Sequence, residues 1–129
     1  MSLTIKDPIF IRKLHNLVNY MNIHKSYICK WSERGDYIIF FLKKELIEDE
    51  YTQKEFRLTC FKSLVRQLNL YGFTKVNRLD TELESHYYHS CFNRRRYKKM
   101  TRKQWKEKKS DYPYFNEESI SSLSQVVEI

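Results

Sequence analysis

The segment Phe61–Val76, FKSLVRQLNLYGFTKV, constrains this chain more than any other. On a helix turning ~100° per residue, Phe61, Leu64, Val65, Leu68 and Tyr71 share one side. Ser63, Arg66 and Leu70 fall on the opposite side, with Lys62 at its edge. The apolar side can bury. The other side then offers solvent a guanidinium fork framed by short residues. Gly72 follows at once, where helices commonly end in a left-handed residue. Phe73–Val76 begins an alternating, β-prone run. A helix with one solvent-facing arginine, feeding directly into a strand, suits a reader of the DNA major groove.

The remaining elements follow from the same kind of patterning. Asp7-Pro8 is a helix start, with a capping carboxylate and then proline at the first helical position. Ile9, Phe10, Leu14, Leu17, Val18 and Met21 form the expected buried stripe of the first helix. Tyr27–Trp31 and Tyr37–Phe41 flank Ser-Glu-Arg-Gly-Asp and read as a hairpin. Leu42–Tyr51 reads as a short second helix and Thr52–Phe56 as an irregular connection. Thr59 is the expected cap of the third helix, Cys60–Tyr71. Strands are expected at Phe73–Arg78 and Tyr87–Asn93, joined by Leu79–Ser85 with its three carboxylates. The fold class is therefore α+β, a winged helix-turn-helix of three helices and a small antiparallel sheet.

Charge divides the chain further. Of 129 residues, 94–109 hold ten Lys/Arg and one Glu, a sum of +9. The whole chain carries +8, so the rest sums to −1. A near-neutral body must rely on local placement of charge to hold DNA, and a basic segment adds long-range attraction to phosphates. The expected organisation is a domain at 1–94, a basic segment at 95–109 that is either detachable or a basic helix continuing the domain, and an acidic, serine-rich tail at 110–129. The basic segment is also a candidate nuclear-localisation signal. The aromatic content of 16% supplies a core despite 31% charged residues.

Several function classes drop out. No apolar run approaches the ~20 residues of a membrane span, and the N-terminus resembles neither a signal nor a transit peptide. Cys29, Cys60 and Cys91 are odd in number and form no C-x-x-C, so a reducing compartment is expected. His86, His89 and Cys91 lack a fourth ligand at zinc-like spacing. Cys91 is expected to pack in a closing strand, with the histidines partly exposed. No Ser/His/Asp set, phosphate loop or paired carboxylates stand out, so no enzyme, cofactor, metal or small-molecule substrate is expected.

SLVRQLNLYGFTKV at Ser63–Val76 resembles the signature of the heat-shock factor DNA-binding domain, a winged helix-turn-helix. FIRKLHNLVN at Phe10–Asn19 is similar to that family's first helix, and ICKWSERGDYIIF at Ile28–Phe40 to its first hairpin. HSCFNR at His89–Arg94 is similar to the segment closing the domain. The resemblance covers residues 8–94 and implies a nuclear transcription factor of the stress response that reads GAA-like elements in double-stranded DNA. It implies that Arg66 reads guanine and that Lys75, in GF-x-KV, contacts phosphate. Ser63 suits phosphate or water-mediated contact. Gln67 is balanced between phosphate and solvent, and Asn69 suits phosphate or local backbone. Lys62 and Arg57 are phosphate neighbours. Trp31 and Phe73 read as core.

The family's usual proline is absent from Glu50–Phe56, its wing is longer, and Leu64 stands where an aromatic is usual. No run of heptads follows, and Ile120, Leu123 and Val127 make only a short stripe. The isolated chain is therefore expected not to trimerise. Monomers would gather on adjacent DNA elements or with a partner protein, and the acidic Leu79–Ser85 would face away from DNA. The competing interpretation is a winged-helix protein-interaction module that pairs with a longer relative and does not read DNA. Such a module would have no reason to keep Arg66 on an exposed helix face.

Overall fold

The computed structural model describes residues 8–76 and 83–114. In chain order it places α1 (Ile9–His24), β1 (Cys29–Trp31), β2 (Tyr37–Phe40), α2 (Lys43–Glu48) and α3 (Glu50–Glu55). There follow α4 (Phe61–Leu70), β3 (Thr74–Lys75), β4 (Ser85–Tyr88) and α5 (Arg102–Glu107). The described residues thus hold five helices, where three were expected.

α1 buries Ile11, Leu14, Leu17, Val18 and Met21. Leu14, Leu17, Val18 and Met21 are buried as expected, and only the first turn differs: Ile9 is 60% exposed, Phe10 is half-buried, and Ile11 is in the core. Phe10 instead stacks on Tyr71 at 5.0 Å between ring centroids. Pro8 is the N-cap, and the expected Asp7 cap lies outside the described residues.

The hairpin follows its sequence. Ser32 Oγ donates to Asp36 Oδ1 at 2.9 Å and accepts from the Asp36 and Tyr37 amides at 3.1 and 3.2 Å. Gly35 takes φ +78°, the left-handed geometry that such a turn asks of glycine. The four strands are antiparallel in the order β1-β2-β4-β3. In register, Cys29 faces Phe40, Ile38 faces Tyr87, and Thr74 faces Tyr88. Alternation sends Ile38, Phe40 and Tyr87 into the core with α1 and α4, whereas Tyr37, His86 and Tyr88 point to the other face. Trp31, 2% exposed, anchors β1 to α1 through Nε1, which donates to Asn19 Oδ1 at 2.7 Å.

The expected single second helix is two helices. Asp49 adopts ψ 139°, which breaks the chain between α2 and α3 without a proline. Its carboxylate accepts from the Tyr51 amide at 3.0 Å, capping α3, and from Lys25 Nζ at 2.5 Å. A capping residue takes extended backbone angles, and the ion pair to the end of α1 holds it there. Thr52–Glu55, expected to be irregular, is therefore helical.

In the basic segment, Met100 and Trp105 lie in the hydrophobic core, with Trp105 at 0% exposure. Trp105 packs around Phe73, His89 and Phe92, its closest ring neighbour being His89 at 4.5 Å. Thr101 and Gln104 form a reciprocal capping box that starts α5. The run at 95–109 and the body before it share one core. His86 and His89 are buried at 5% and 1%, not partly exposed as expected. No helix among the described residues is long and apolar enough to cross a membrane.

Candidate nucleic-acid interface

α4 is held by two fully buried leucines, Leu64 and Leu68, with Phe61, Val65 and Tyr71 half-buried beside them. Phe61 meets Phe40 edge-on at 5.2 Å, which sets the helix against the sheet. Its N-cap is Cys60, not Thr59. Cys60 Sγ lies 3.4 Å from Ser63 Oγ, and hydrogen bonding from the Ser63 side chain and amide holds the thiol below its ordinary range.

The C-terminus of α4 closes tightly. The Gly72 amide donates to Asn69 O at 3.1 Å and the Phe73 amide to Leu68 O at 3.0 Å, with Gly72 at φ +77°. This paired pattern is a Schellman end, and the buried Phe73 meets its hydrophobic requirement. A side chain at Gly72 is excluded twice, since a Cβ there would lie 2.7 Å from Trp105 O. The chain then turns into β3 and delivers exposed Lys75 just beyond the helix.

Lys62, Arg66, Asn69 and Leu70 are exposed, and Ser63 and Gln67 are partly so. All belong to α4, and Leu64 and Leu68 fix its rotation. Arg66 has no ion-pair or hydrogen-bond partner among the described residues, so its five donors are unspent. Arg57 is exposed on the connection from α3 to α4, not on the helix itself.

Patterning along the chain allowed a basic helix in 95–109 but did not place α5 beside α4. Arg102, Lys103 and Lys106 line a groove with Leu70 at the C-terminal end of α4. The available signals were the T-x-x-Q cap at Thr101–Gln104 and a lone tryptophan inside a basic run. His89 ties α5 to the sheet. Its Nε2 bonds to Trp105 O at 2.7 Å, and its Nδ1 accepts from the Cys91 amide at 3.0 Å. A carbonyl can only accept, so the ring is the neutral tautomer with the proton on Nε2. Burial, the largest influence, pushes the His89 pKa down. Expected strand Phe73–Arg78 is described only to Val76, and of the expected wing only Leu83–Ser85 is described. The tail stripe Ile120, Leu123 and Val127 also lies outside the described residues.

A family model for HSF-type DNA-binding matches residues 10–126. The chain belongs to the HSF-type DNA-binding family. This HSF-type chain is 36% identical over 77 residues to a heat shock transcription factor of Cryptococcus neoformans var. grubii, covering 60% of this chain. The match takes in 10% of that relative, so the chain spans about a tenth of its length. The crystal structure of Chaetomium thermophilum Skn7 with SSRE DNA aligns at TM-score 0.58 and 29% identity, covering 69% of this chain and 90% of that one. Skn7 with HSE DNA aligns at TM-score 0.55 and 31% identity, covering 69% and 90%. HSF-type domains are a DNA-binding class and not an enzyme class. The winged-helix fold of the family is the fold seen here.

Proposed function

We propose that this chain is the DNA-reading domain of a transcription regulator of heat-shock-factor type, acting in the nucleus on double-stranded DNA. The observation that carries this is the unspent Arg66 fork, centred on the exposed face of a helix whose rotation two buried leucines set. In the major groove that fork pairs with O6 and N7 of one guanine in a GAA-like element. Ser63 suits phosphate or water-mediated contact one turn earlier. Lys62, Lys75 and Arg57 meet phosphates, and Gln67 and Asn69 serve the backbone at the margins. Skn7 is crystallised with both SSRE and HSE DNA, so a domain of this shape accommodates more than one element.

The groove beside Leu70 adds a second positive surface. Arg102, Lys103 and Lys106 on α5 are set to follow the phosphate backbone next to the helix in the groove. We place the end of the folding unit past α5 and not at residue 94, because Trp105 is a core residue.

In-vitro selection from a random duplex pool tests the assignment. The expected outcome is one enriched GAA-like element with the wild-type chain. Arg66→Ala should lose enrichment at a single guanine. A pool that stays random, or one that enriches identically with Arg66→Ala, overturns the reading.

A further inference from the structure

The basic run 94–109 is continuous in sequence but divided by the fold. Its α5 part flanks α4. Its first three residues, Arg94, Arg95 and Arg96, instead form a turn against the tip of the β1–β2 hairpin. That turn is anchored from several directions. Asn93 Oδ1 accepts from the Arg95 and Arg96 amides at 2.9 and 3.1 Å, and the Asn93 amide donates to Arg96 O at 2.9 Å. His15 Nε2 on α1 donates to Asn93 O at 2.8 Å. The Arg94 amide donates to Gly35 O at 2.8 Å, and a Cβ at Gly35 would sit 3.1 Å from Arg94 Cβ. The glycine lets the two turns touch.

Between them lies a cavity of about 590 Å3, walled by Arg34, Arg94, Arg95 and Arg96 together with Asp36 and Tyr114. Four of the chain's nine arginines therefore surround one space. None of the four has an ion-pair partner among the described residues. Asp36 is the one carboxylate in the lining, and it accepts from Ser32 Oγ at 2.9 Å and from Tyr112 OH at 2.8 Å, so the lining sets four cations against one anion. The Arg34 guanidinium lies 4.1 Å from the Tyr114 ring centroid, a cation–π contact between two residues of the wall.

Four guanidiniums against one carboxylate leave an excess of positive charge that focuses a positive potential into the cavity, which an anion relieves. Every cation in the wall is an arginine, whereas six of the seven cations in residues 98–109 are lysines. Guanidinium forks match pairs of phosphate oxygens and are more weakly hydrated than ammonium groups. We propose that this cavity is a phosphate-binding site, distinct from the α4 face and sharing no lining residue with the α5 groove. Its ligand is a phosphodiester or polyphosphate oxyanion, supplied by a nucleic-acid backbone or by a free polyphosphate.

The test is thermal unfolding of the full chain in sodium tripolyphosphate against sodium chloride at matched ionic strength. Three proteins are compared: wild type, R34Q/R95Q, and a charge-matched K44Q/K54Q control. Tripolyphosphate should raise Tm in wild type and control, and R34Q/R95Q should require at least about tenfold more of it for the same rise. A second arm uses the selected duplex. If the phosphate belongs to nucleic acid, R34Q/R95Q flattens the slope of log K against log salt by about two units, and duplex competes with tripolyphosphate. If it belongs to a free polyphosphate, the slope is unchanged and protection persists on the duplex-bound protein. The proposal is overturned by no protection beyond that of chloride, or by equal loss in R34Q/R95Q and the control. Equal protection by an oligoglutamate of the same charge also overturns it, since the site would then read charge and not phosphate.

Discussion

α4 and α5 border one groove yet hold their charge in opposite ways. α4 has ten residues and two cations, Lys62 and Arg66, and its two buried leucines fix which way those cations face. α5 has six residues and three cations, with Trp105 as its buried anchor. The first arrangement can discriminate, because a single well-placed fork pairs with one base edge. The second can attract, because phosphate contacts tolerate several geometries. A count of charges would point to the basic run as the DNA surface; the proposed reading rests instead on placement, on the helix with fewer cations.

The comparison breaks most readily at Trp105. Trp105→Ala should cost about 3–5 kcal/mol of stability, as large buried aromatics do when truncated. Urea unfolding followed by circular dichroism measures it. A change below about 1 kcal/mol would mean that α5 is only an appendage and that the two helices do not share a core.

Arg66→Ala should cost about 1–3 kcal/mol on the selected duplex and relax discrimination at one guanine. Lys75→Ala should weaken matched and mismatched duplexes alike. Fluorescence anisotropy with both duplexes separates the two effects. Equal losses on matched and scrambled DNA for Arg66→Ala would remove the contrast between a reading helix and an attracting one.

Lys103→Gln with Lys106→Gln sharpens the other side. Each lost phosphate contact should reduce the slope of log K against log salt by about 0.9, so about two units for the pair, with the selected sequence unchanged. A shift in the selected sequence would give α5 a share in reading.

The smallest expected effect near neutrality is that of pH on the joint between the two helices. The folded pKa of His89 is depressed by burial, and His15 is depressed for the same first reason. Unfolded histidine titrates near 6.5, so below that pH the unfolded chain binds protons that the folded chain refuses. Stability should therefore be level above about pH 6.5 and fall as pH drops below it. Protonation would also cost His89 Nδ1 its acceptance of the Cys91 amide. Denaturation midpoints at pH 7.5, 6.5 and 5.5 measure the trend, and His89→Gln should reduce it. An unchanged midpoint across that range would show that neither histidine is held neutral by the fold.

Local periodicity determined a good part of this protein. The apolar side of α4 repeats at 3.6 residues, so Leu64, Leu68 and the exposed Arg66 were legible before any fold was known. Ser-Glu-Arg-Gly-Asp between two alternating runs made the hairpin legible, and Gly72 marked the end of α4. Each of these depends on residues within one or two turns of each other. The tertiary structure decided the rest. Asp49 breaks the second helix because its carboxylate finds both the Tyr51 amide and Lys25, and Lys25 is 24 residues away. The first turn of α1 departs from its local pattern, with Phe10 stacked on Tyr71, a partner no local pattern names. Trp105 reads as one apolar residue in a cationic run, and it becomes core only because Gly72, 33 positions earlier, lacks the Cβ that would collide with its backbone. Arg34 and Arg94–Arg96 share a cavity for the same kind of reason: Gly35 leaves room for the second turn to rest on the first. Sequence periodicity reports the side a residue faces, whereas the neighbour it meets there depends on contacts that close over long loops.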